Sequence, residues 1–277
     1  MLDSPTREHL DTLHQAMADG DFLVLTGAGI STPSGIPDYR DSEGVRRGRQ
    51  PMMYQEFLAA PESRRRYWAR AMLGWPRVRQ ARPNAAHQAL AELQRRGLIN
   101  ALITQNVDTL HDQAGSRDVI ELHGSLHRVL CLDCGQRCAR DDIQQRMVEQ
   151  NPYLAGVDAV QAPDGDTLLD PAFEARFQTP QCPYCDGKRM KPDVVFFGEN
   201  VPRERVAAVH EHLQQADAVL VVGSSLMVYS GFRFVQAAAR AGLPVAALNR
   251  GRTRADDLLQ FKDERDCAEA LAGFATR

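Results

Sequence analysis

The residues with the plainest chemical purpose are cysteines. Cys131-x-x-Cys134 and Cys182-x-x-Cys185 each put two thiols on one short turn, and two such pairs can close a tetrahedral shell of thiolates around one zinc ion. The 47 residues between them (135–181) exceed the roughly 15–20 of an ordinary zinc ribbon, so a folded excursion has to bring the pairs together. Four protein ligands leave no open coordination position, which makes such a zinc structural. Cys138 is a fifth nearby thiol outside this pairing and is expected to be free.

A second set of reactive residues follows short apolar runs. Gln105, Asn106 and Asp108 come after 98–103, His123 after 119–122, Gly223-Ser224-Ser225 after 218–222, and Asn249-Arg250-Gly251 after 244–248. Polar groups just past strand ends stand where open α/β sheets bind ligands. An imidazole with an unperturbed pKa near ~6.5 can take a proton at cellular pH, which suits His123 to base catalysis. Plainer roles exist for the same residues: Asn106 and Asp108 can cap a helix beginning at Thr109, and a lone histidine is often structural. His87, His111, His127 and His210 have no motif around them and read as surface or packing residues.

The run at 22–25 leads into Thr26-Gly27-Ala28-Gly29-Ile30-Ser31, a turn that lets backbone N–H groups approach a phosphate. A hydride-transfer fingerprint would need a third glycine where Thr32 stands, and an acidic residue ending a second strand about 20 residues on. The chain instead has Val45-Arg46-Arg47-Gly48-Arg49 there. Dehydrogenase chemistry is therefore disfavoured.

The elements that must position these residues form a pattern of β-rich runs alternating with helices, as in an open parallel α/β sheet of Rossmann-like type. Helices are expected over 84–96, stopped by Gly97, and over 230–241, stopped by Gly242. Residues 45–83 have helical stretches and no strand candidate. Residues 131–185 are polar and hold both cysteine pairs, with a loop-like tract over 151–170. These segments form a small zinc-binding and helical second domain. The Rossmann-like domain takes 1–44, 84–127 and 191–277, the helical insert 45–83, and the zinc module 128–190.

With 33 Lys plus Arg against 36 Asp plus Glu, the net charge of −3 supplies no global attraction for nucleic acid or an anionic membrane. The N-terminus has no signal-like apolar core, and no run approaches 18 apolar residues. Paired cysteines read as metal ligands fit a reducing compartment, so the cytoplasm is expected.

The chain resembles the sirtuin family. Its GAGIS stands at 27–31 and its GIPDYR at 35–40. These are followed in order by Thr104-Gln105-Asn106-Val107-Asp108, His123-Gly124, the paired cysteines, Val195-Phe196-Phe197-Gly198-Glu199, Gly223-Ser224-Ser225 and Asn249. The resemblance covers nearly the whole chain and is greatest to the class II branch, on Ser34 to Arg40 and on Arg64-Arg65-Arg66-Tyr67-Trp68-Ala69-Arg70. It implies an NAD-dependent protein-lysine deacylase (deacetylase). Such an enzyme consumes NAD as co-substrate and yields nicotinamide, O-acyl-ADP-ribose and free lysine; its protein partners are acyl-lysine substrates.

By the same resemblance His123 is the general base, and Asn106 and Asp108 act beside it in catalysis. NAD contacts are implied for Gly27, Ala28, Gly29, Ser31, Ile36, Pro37, Asp38, Tyr39, Arg40, Gln105, Asn106, Val107, Asp108, Gly223, Ser224, Ser225, Asn249, Arg250, Gly251 and Cys267. Ser224 stands where many sirtuins have threonine. The segment from Lys191 through Glu199 is expected as a strand on which the acyl-lysine peptide adds, with Phe197 walling the acyl tunnel. The pair Tyr67 and Arg70 resembles a carboxylate-reading feature of desuccinylating sirtuins, against which acetyl removal is the expectation. Alternatives in the same chemistry are protein ADP-ribosyl transfer and removal of lipoyl or long acyl groups. A non-catalytic NAD sensor and a zinc-ribbon nucleic-acid module are the alternatives outside enzymology.

Overall fold

The computed structural model describes residues 21–48, 50–157, 160–161 and 167–275. The first twenty residues of the expected 1–44 segment, Arg49 and part of the 151–170 tract lie outside the described residues. In chain order the strands are β1 (Phe22–Thr26), β2 (Ile99–Thr104), β3 (Ile120–Glu121), β4 (Gly124–Cys131), β5 (Arg137–Ala139), β6 (Val160–Gln161), β7 (Thr167–Leu168), β8 (Met190–Val194), β9 (Ala218–Val222), β10 (Val245–Leu248) and β11 (Phe261–Asp263). Two compact units result: Met1–Arg47, Arg82–Leu122 and Val201–Arg277 make the first, Gly48–Ala81 and His123–Asn200 the second.

The first unit is built on a parallel sheet of order β11-β10-β9-β1-β2-β3. Alternate residues of β1 enter different cores: Phe22 and Val24 pack with Leu102, Leu220 and Leu248, while Leu23 and Leu25 pack with Ile103, Val219 and Val221. Both faces are covered, which is why these strands read as unbroken apolar runs rather than alternating ones. Strand order runs outward in opposite directions from β1 and β9, so the switch point lies between them and their C-terminal ends frame a crevice. The helix Ala85–Arg95 is held at its start by a reciprocal cap: Asn84 Oδ1 accepts from the Ala86 N–H at 2.9 Å and the His87 ring accepts from the Asn84 N–H at 3.3 Å. The second expected helix forms as Tyr229–Arg240.

The second unit has an antiparallel sheet of order β5-β4-β8. Helices Pro61–Gln80 and Arg140–Gln150 contribute Trp68, Met72, Ile143 and Met147 to a core with Val129 and Met190. The Trp68 indole donates to the Met190 carbonyl at 2.9 Å. Buried Arg140 lies 5.4 Å from the Trp68 ring and 4.9 Å from the Trp75 ring, with hydrogen bonds to Gln144 and the Ala71 carbonyl. Residues 123–127 and 191–200, expected with the Rossmann-like part, belong to this unit because β4 and β8 pair with each other. β8 ends at Val194, so Val195 through Glu199 lie outside it, with Phe197 making an isolated parallel bridge to Met53. Among the described residues no helix is long and apolar enough to cross a membrane.

Candidate functional site

In the second unit the four paired cysteines converge. Their sulfurs all lie within 4.8 Å of one another, with Cys131 Sγ to Cys185 Sγ at 3.8 Å and Cys134 Sγ to Cys182 Sγ at 3.7 Å. A tetrahedron of Zn–S bonds near 2.3 Å requires sulfur separations of about 3.8 Å, so the donor set fits zinc. The two knuckles are built alike. Gly135 N–H donates to the Cys131 carbonyl at 2.9 Å and Asp186 N–H to the Cys182 carbonyl at 3.0 Å, both from left-handed backbone (φ 76° and 56°). Backbone N–H groups of Asp133 and Tyr184 point at Cys131 Sγ and Cys182 Sγ, at 3.4 and 3.5 Å. Burial opposes the Cys182 thiolate, while the N–H groups of Tyr184 and Cys185 and the neighbouring Cys131 and Cys134 thiols favour it; the same cluster pushes the Cys131 and Cys185 thiols up, so without a metal the four sulfurs share their protons. Cys138 stays outside the cluster, its thiol directed at the Val129 carbonyl and pushed up to about 11 by burial.

His123 stands at the head of β4, half-buried, its carbonyl accepting the Val195 N–H at 2.8 Å. The glycine after it does more than leave space beside the ring: a Cβ on Gly124 would lie 2.0 Å from the Asp193 carbonyl oxygen, and φ is +80°. Only glycine lets β8 come this close, and that approach aligns His123 with the segment Val195, Phe196, Phe197, Gly198 and Glu199. Phe196 is buried against Phe57 and Tyr67, with ring centroids at 5.0 and 5.3 Å, while Phe197 is half-buried and its carbonyl takes the Tyr54 N–H at 2.9 Å.

In the first unit the polar residues at the ends of β1, β2 and β9 form one network. Ser31 Oγ donates to Asp108 Oδ2 at 2.7 Å and accepts from Asn106 Nδ2 at 3.1 Å; that amide also donates to the Gly27 carbonyl at 3.0 Å. Gln105 Nε2 donates to Ser224 Oγ at 2.7 Å. The second Asp108 oxygen accepts the Leu110 N–H at 3.0 Å, so Asp108 is both helix cap and network member. The short helix is Leu110–Gln113, with Thr109 before it in left-handed backbone. Burial raises the Asp108 pKa, opposed by its bonds from Leu110 and Ser31.

Beneath this network lie two histidines that motif reading passed over. His87 Nε2 is 3.4 Å from Ser31 Oγ, and because its Nδ1 accepts from Asn84, Nε2 carries the proton and donates. His111 Nε2 is 2.9 Å from Thr26 Oγ1, which donates to Thr104 Oγ1 at 2.8 Å; the rings of His87 and His111 lie 4.9 Å apart. Burial lowers their pKa values to about 4 and about 3, and both are neutral. The signal for His87 was there in its place three residues after an Asn cap. His127 meets Trp75 edge-to-face with ring centroids 4.9 Å apart, and His210 meets Phe234 likewise at 5.3 Å, as packing residues do.

In the glycine turn two backbone N–H groups have partners within the sheet. Gly27 N–H donates to the Val222 carbonyl and Gly29 N–H to the Gly223 carbonyl, at 3.1 and 2.8 Å, so these two donors join β1 to β9 rather than face a ligand. A Cβ on Gly29 would sit 2.8 Å from the Gly223 oxygen and one on Gly223 2.3 Å from the Ile30 nitrogen. Residues Ala28–Ser34, including Ala28 and Ser31, form a tight 3₁₀ helix, and buried Ile36 follows. Beyond Pro37, Asp38 pairs with Arg47 at 3.3 Å, Tyr39 takes the Arg47 N–H at 2.8 Å, and Arg40 faces Arg46 across a two-strand bridge. Burial and then Arg46 lower the Arg40 pKa, and its guanidinium donates to the Gly44 carbonyl at 2.7 Å.

The remaining residues expected at NAD are placed as follows. Asn249 Nδ2 donates to the Arg250 carbonyl at 2.9 Å, Arg250 reaches Asp266 at 3.9 Å, and Gly251 is required by its close approach to the Ser42 carbonyl. The Cys267 thiol points at the Leu248 carbonyl at 3.6 Å, and burial pushes its pKa up to about 11. The carbonyl of half-buried Ser225 accepts the Arg254 N–H at 2.8 Å, and half-buried Val107 links Asn106 to Asp108.

The sheet and the strand-end network define a nucleotide-binding α/β unit accompanied by a four-cysteine module. The model of the Sir2 family matches residues 27–230, and the chain belongs to that family. It is 63% identical over 275 residues, 99% of this chain and 98% of the relative, to NAD-dependent protein deacetylase 3 of Pseudomonas syringae pv. tomato. It is 61% identical over 251 residues, 91% of this chain and 85% of the relative, to an NAD-dependent protein deacetylase of Xanthomonas campestris pv. campestris. Among solved structures it is similar to a Sir2 with p53 peptide and NAD+ (TM-score 0.73, 32% identity, 95% of this chain and 96% of that one). A Sir2Tm bound to a propionylated peptide is also similar (TM-score 0.71, 31% identity, 95% and 96%).

Proposed function

We propose that the chain is an NAD-dependent protein-lysine deacetylase, releasing free lysine, nicotinamide and O-acetyl-ADP-ribose. The observation that carries this reading is 63% identity, over 99% of the chain, to a protein named as such a deacetylase. The donor set agrees: Ser31, Asn106, Asp108, Gln105 and Ser224 offer hydroxyl, amide and carboxylate groups suited to ribose hydroxyls, and Arg40 offers charge to a diphosphate. Bound NAD supplies the anomeric carbon at which the acyl-lysine amide oxygen displaces nicotinamide.

Within that reaction Asn106 and Ser31 fix the direction of the Asp108 carboxylate, whose negative charge stabilises positive character developing on the ribose. His123 accepts a proton from a ribose hydroxyl. The zinc holds its knuckles together and takes no part in the chemistry. Acetyl is favoured over acidic acyl groups because Arg70 Nε already donates to Glu174 Oε1 at 2.6 Å, in a pair with side chains 18% and 11% exposed. An incoming acyl carboxylate would have to displace Glu174. We place the enzyme in the cytoplasm, where a reducing milieu keeps the four zinc-site cysteines available to metal and Cys138 and Cys267 as thiols.

Replacing His123 with Ala tests the role of the base: NAD binding is expected to persist while lysine release falls by roughly 10²–10⁴-fold, the range of a general base. Unchanged deacetylation would remove His123 from the mechanism.

A further inference from the structure

Lys191 is buried, its side chain 4% exposed, although lysine is among the residue types least often found inside. Its ammonium lies 3.0 Å from Glu199 Oε2, donates to the Val194 carbonyl, and sits 5.0 Å from the Phe196 ring and 5.7 Å from the Tyr54 ring. The same Glu199 oxygen accepts the Phe196 N–H at 2.9 Å. Between these groups Glu199 N–H donates to the Phe196 carbonyl at 3.0 Å, with Gly198 at φ +81°, so Phe196-Phe197-Gly198-Glu199 is a β-turn with glycine at its left-handed third position. The ion pair therefore ties β8 to the far corner of the turn that carries Phe197.

A buried ion pair is a weak source of net stability, because desolvation offsets most of the attraction, and two apolar side chains would fill the same space at no loss. What it imposes is geometry. Glu199 meets Lys191 and the Phe196 N–H together only when the turn is closed.

We propose that Lys191 and Glu199 are positioning residues for the acyl-lysine substrate, their ion pair holding the Phe196 to Glu199 turn in the conformation that receives the acyl-lysine chain. This rests on the deacetylase reading above. The test is the double variant Lys191→Met with Glu199→Leu, which keeps the interior filled and leaves no lone buried charge. With zinc content and melting temperature monitoring the fold, the KM for an acetyl-lysine peptide is expected to rise about tenfold or more, with kcat and the KM for NAD within about twofold. Lys191→Arg, which retains a cation, should return the peptide KM towards wild type. Anisotropy of a fluorescein-labelled acetyl-lysine peptide, measured without turnover, should give the same order of affinities. Wild-type peptide affinity in the folded double variant, or an equal loss of kcat and of both KM terms, would overturn the proposal. A wild-type protein without NAD-dependent deacetylation would instead overturn the activity reading, while the anisotropy still judges the ion pair.

Discussion

The two units solve the problem of a buried polar centre in opposite ways. The cysteine cluster takes its four ligands from two short turns, each complete within a few residues, and leaves the joining of the two to a metal. The network around Asp108 draws Thr26, Ser31, Asn84, His87, Thr104, Asn106 and His111 from segments spread over 86 positions (26–111), and its members are all neutral apart from Asp108 itself. A metal centre concentrates its information locally; a hydrogen-bond network made of ordinary serines, threonines and histidines exists only once the sheet has aligned them.

The largest effect that can break this contrast is expected at zinc. Structural zinc in such a site contributes on the order of 10–16 kcal/mol, comparable with or above the whole stability of a domain. Cys182→Ser should therefore lose the metal and unfold the second unit, read by metal analysis and hydrogen exchange, whereas losing one hydroxyl from the other centre should not unfold the first. A metal-free variant whose second unit stays folded would show that the cluster does not hold its unit together.

This difference also explains what could be read from sequence. β1, β9 and β10 were legible as apolar runs because both faces of the parallel sheet are covered, and the capped helix after Asn84 announced its own start. β11 was not, since Phe261-Lys262-Asp263 is short, polar and on the sheet edge. The β5-β4-β8 sheet was hidden because Gly124–Cys131 pairs with Met190–Val194 across more than fifty residues, so neither strand signals the other. The four cysteines stood out by spacing. His87 and His111 did not, and the segment through Glu199 reads as strand in sequence because the turn-closing role of Gly198 becomes visible only with the hydrogen bond from the Glu199 N–H to the Phe196 carbonyl.

Next in size is the backbone approach at His123. Gly124→Ala would push a methyl into the Asp193 carbonyl and strain a positive φ, a cost on the order of 3 kcal/mol, and should lower activity more than zinc content. Thermal melts beside deacetylation rates would show this; unchanged melting would mean that β4 and β8 can separate freely.

The neutral centre should also betray itself through pH. An unfolded histidine takes its proton near ~6.5, whereas His87 in the fold does so only at about 4, so between these values the unfolded state binds more protons. Stability contributed by keeping His87 neutral is complete above ~6.5 and is lost as pH falls towards 4, by about 3 kcal/mol. Asp108, with its raised pKa, works in the opposite sense, so the reading must be a difference between variants. Denaturant titrations should find that His87→Gln loses less stability than wild type between pH 7 and 4.5. Parallel curves would contradict a buried neutral His87. The smallest effect is expected at Cys138→Ser, which should leave zinc content unchanged and shift stability by about 1 kcal/mol at most, since its sulfur lies outside the cluster.

The central claim is the proposed NAD-dependent deacetylation of acyl-lysine. Its most direct measurement is product stoichiometry by mass spectrometry after incubating the protein with NAD and an acetyl-lysine peptide. Nicotinamide, O-acetyl-ADP-ribose and free-lysine peptide in equal amounts is the predicted result. ADP-ribosylated protein without free lysine, or no consumption of NAD, would contradict it.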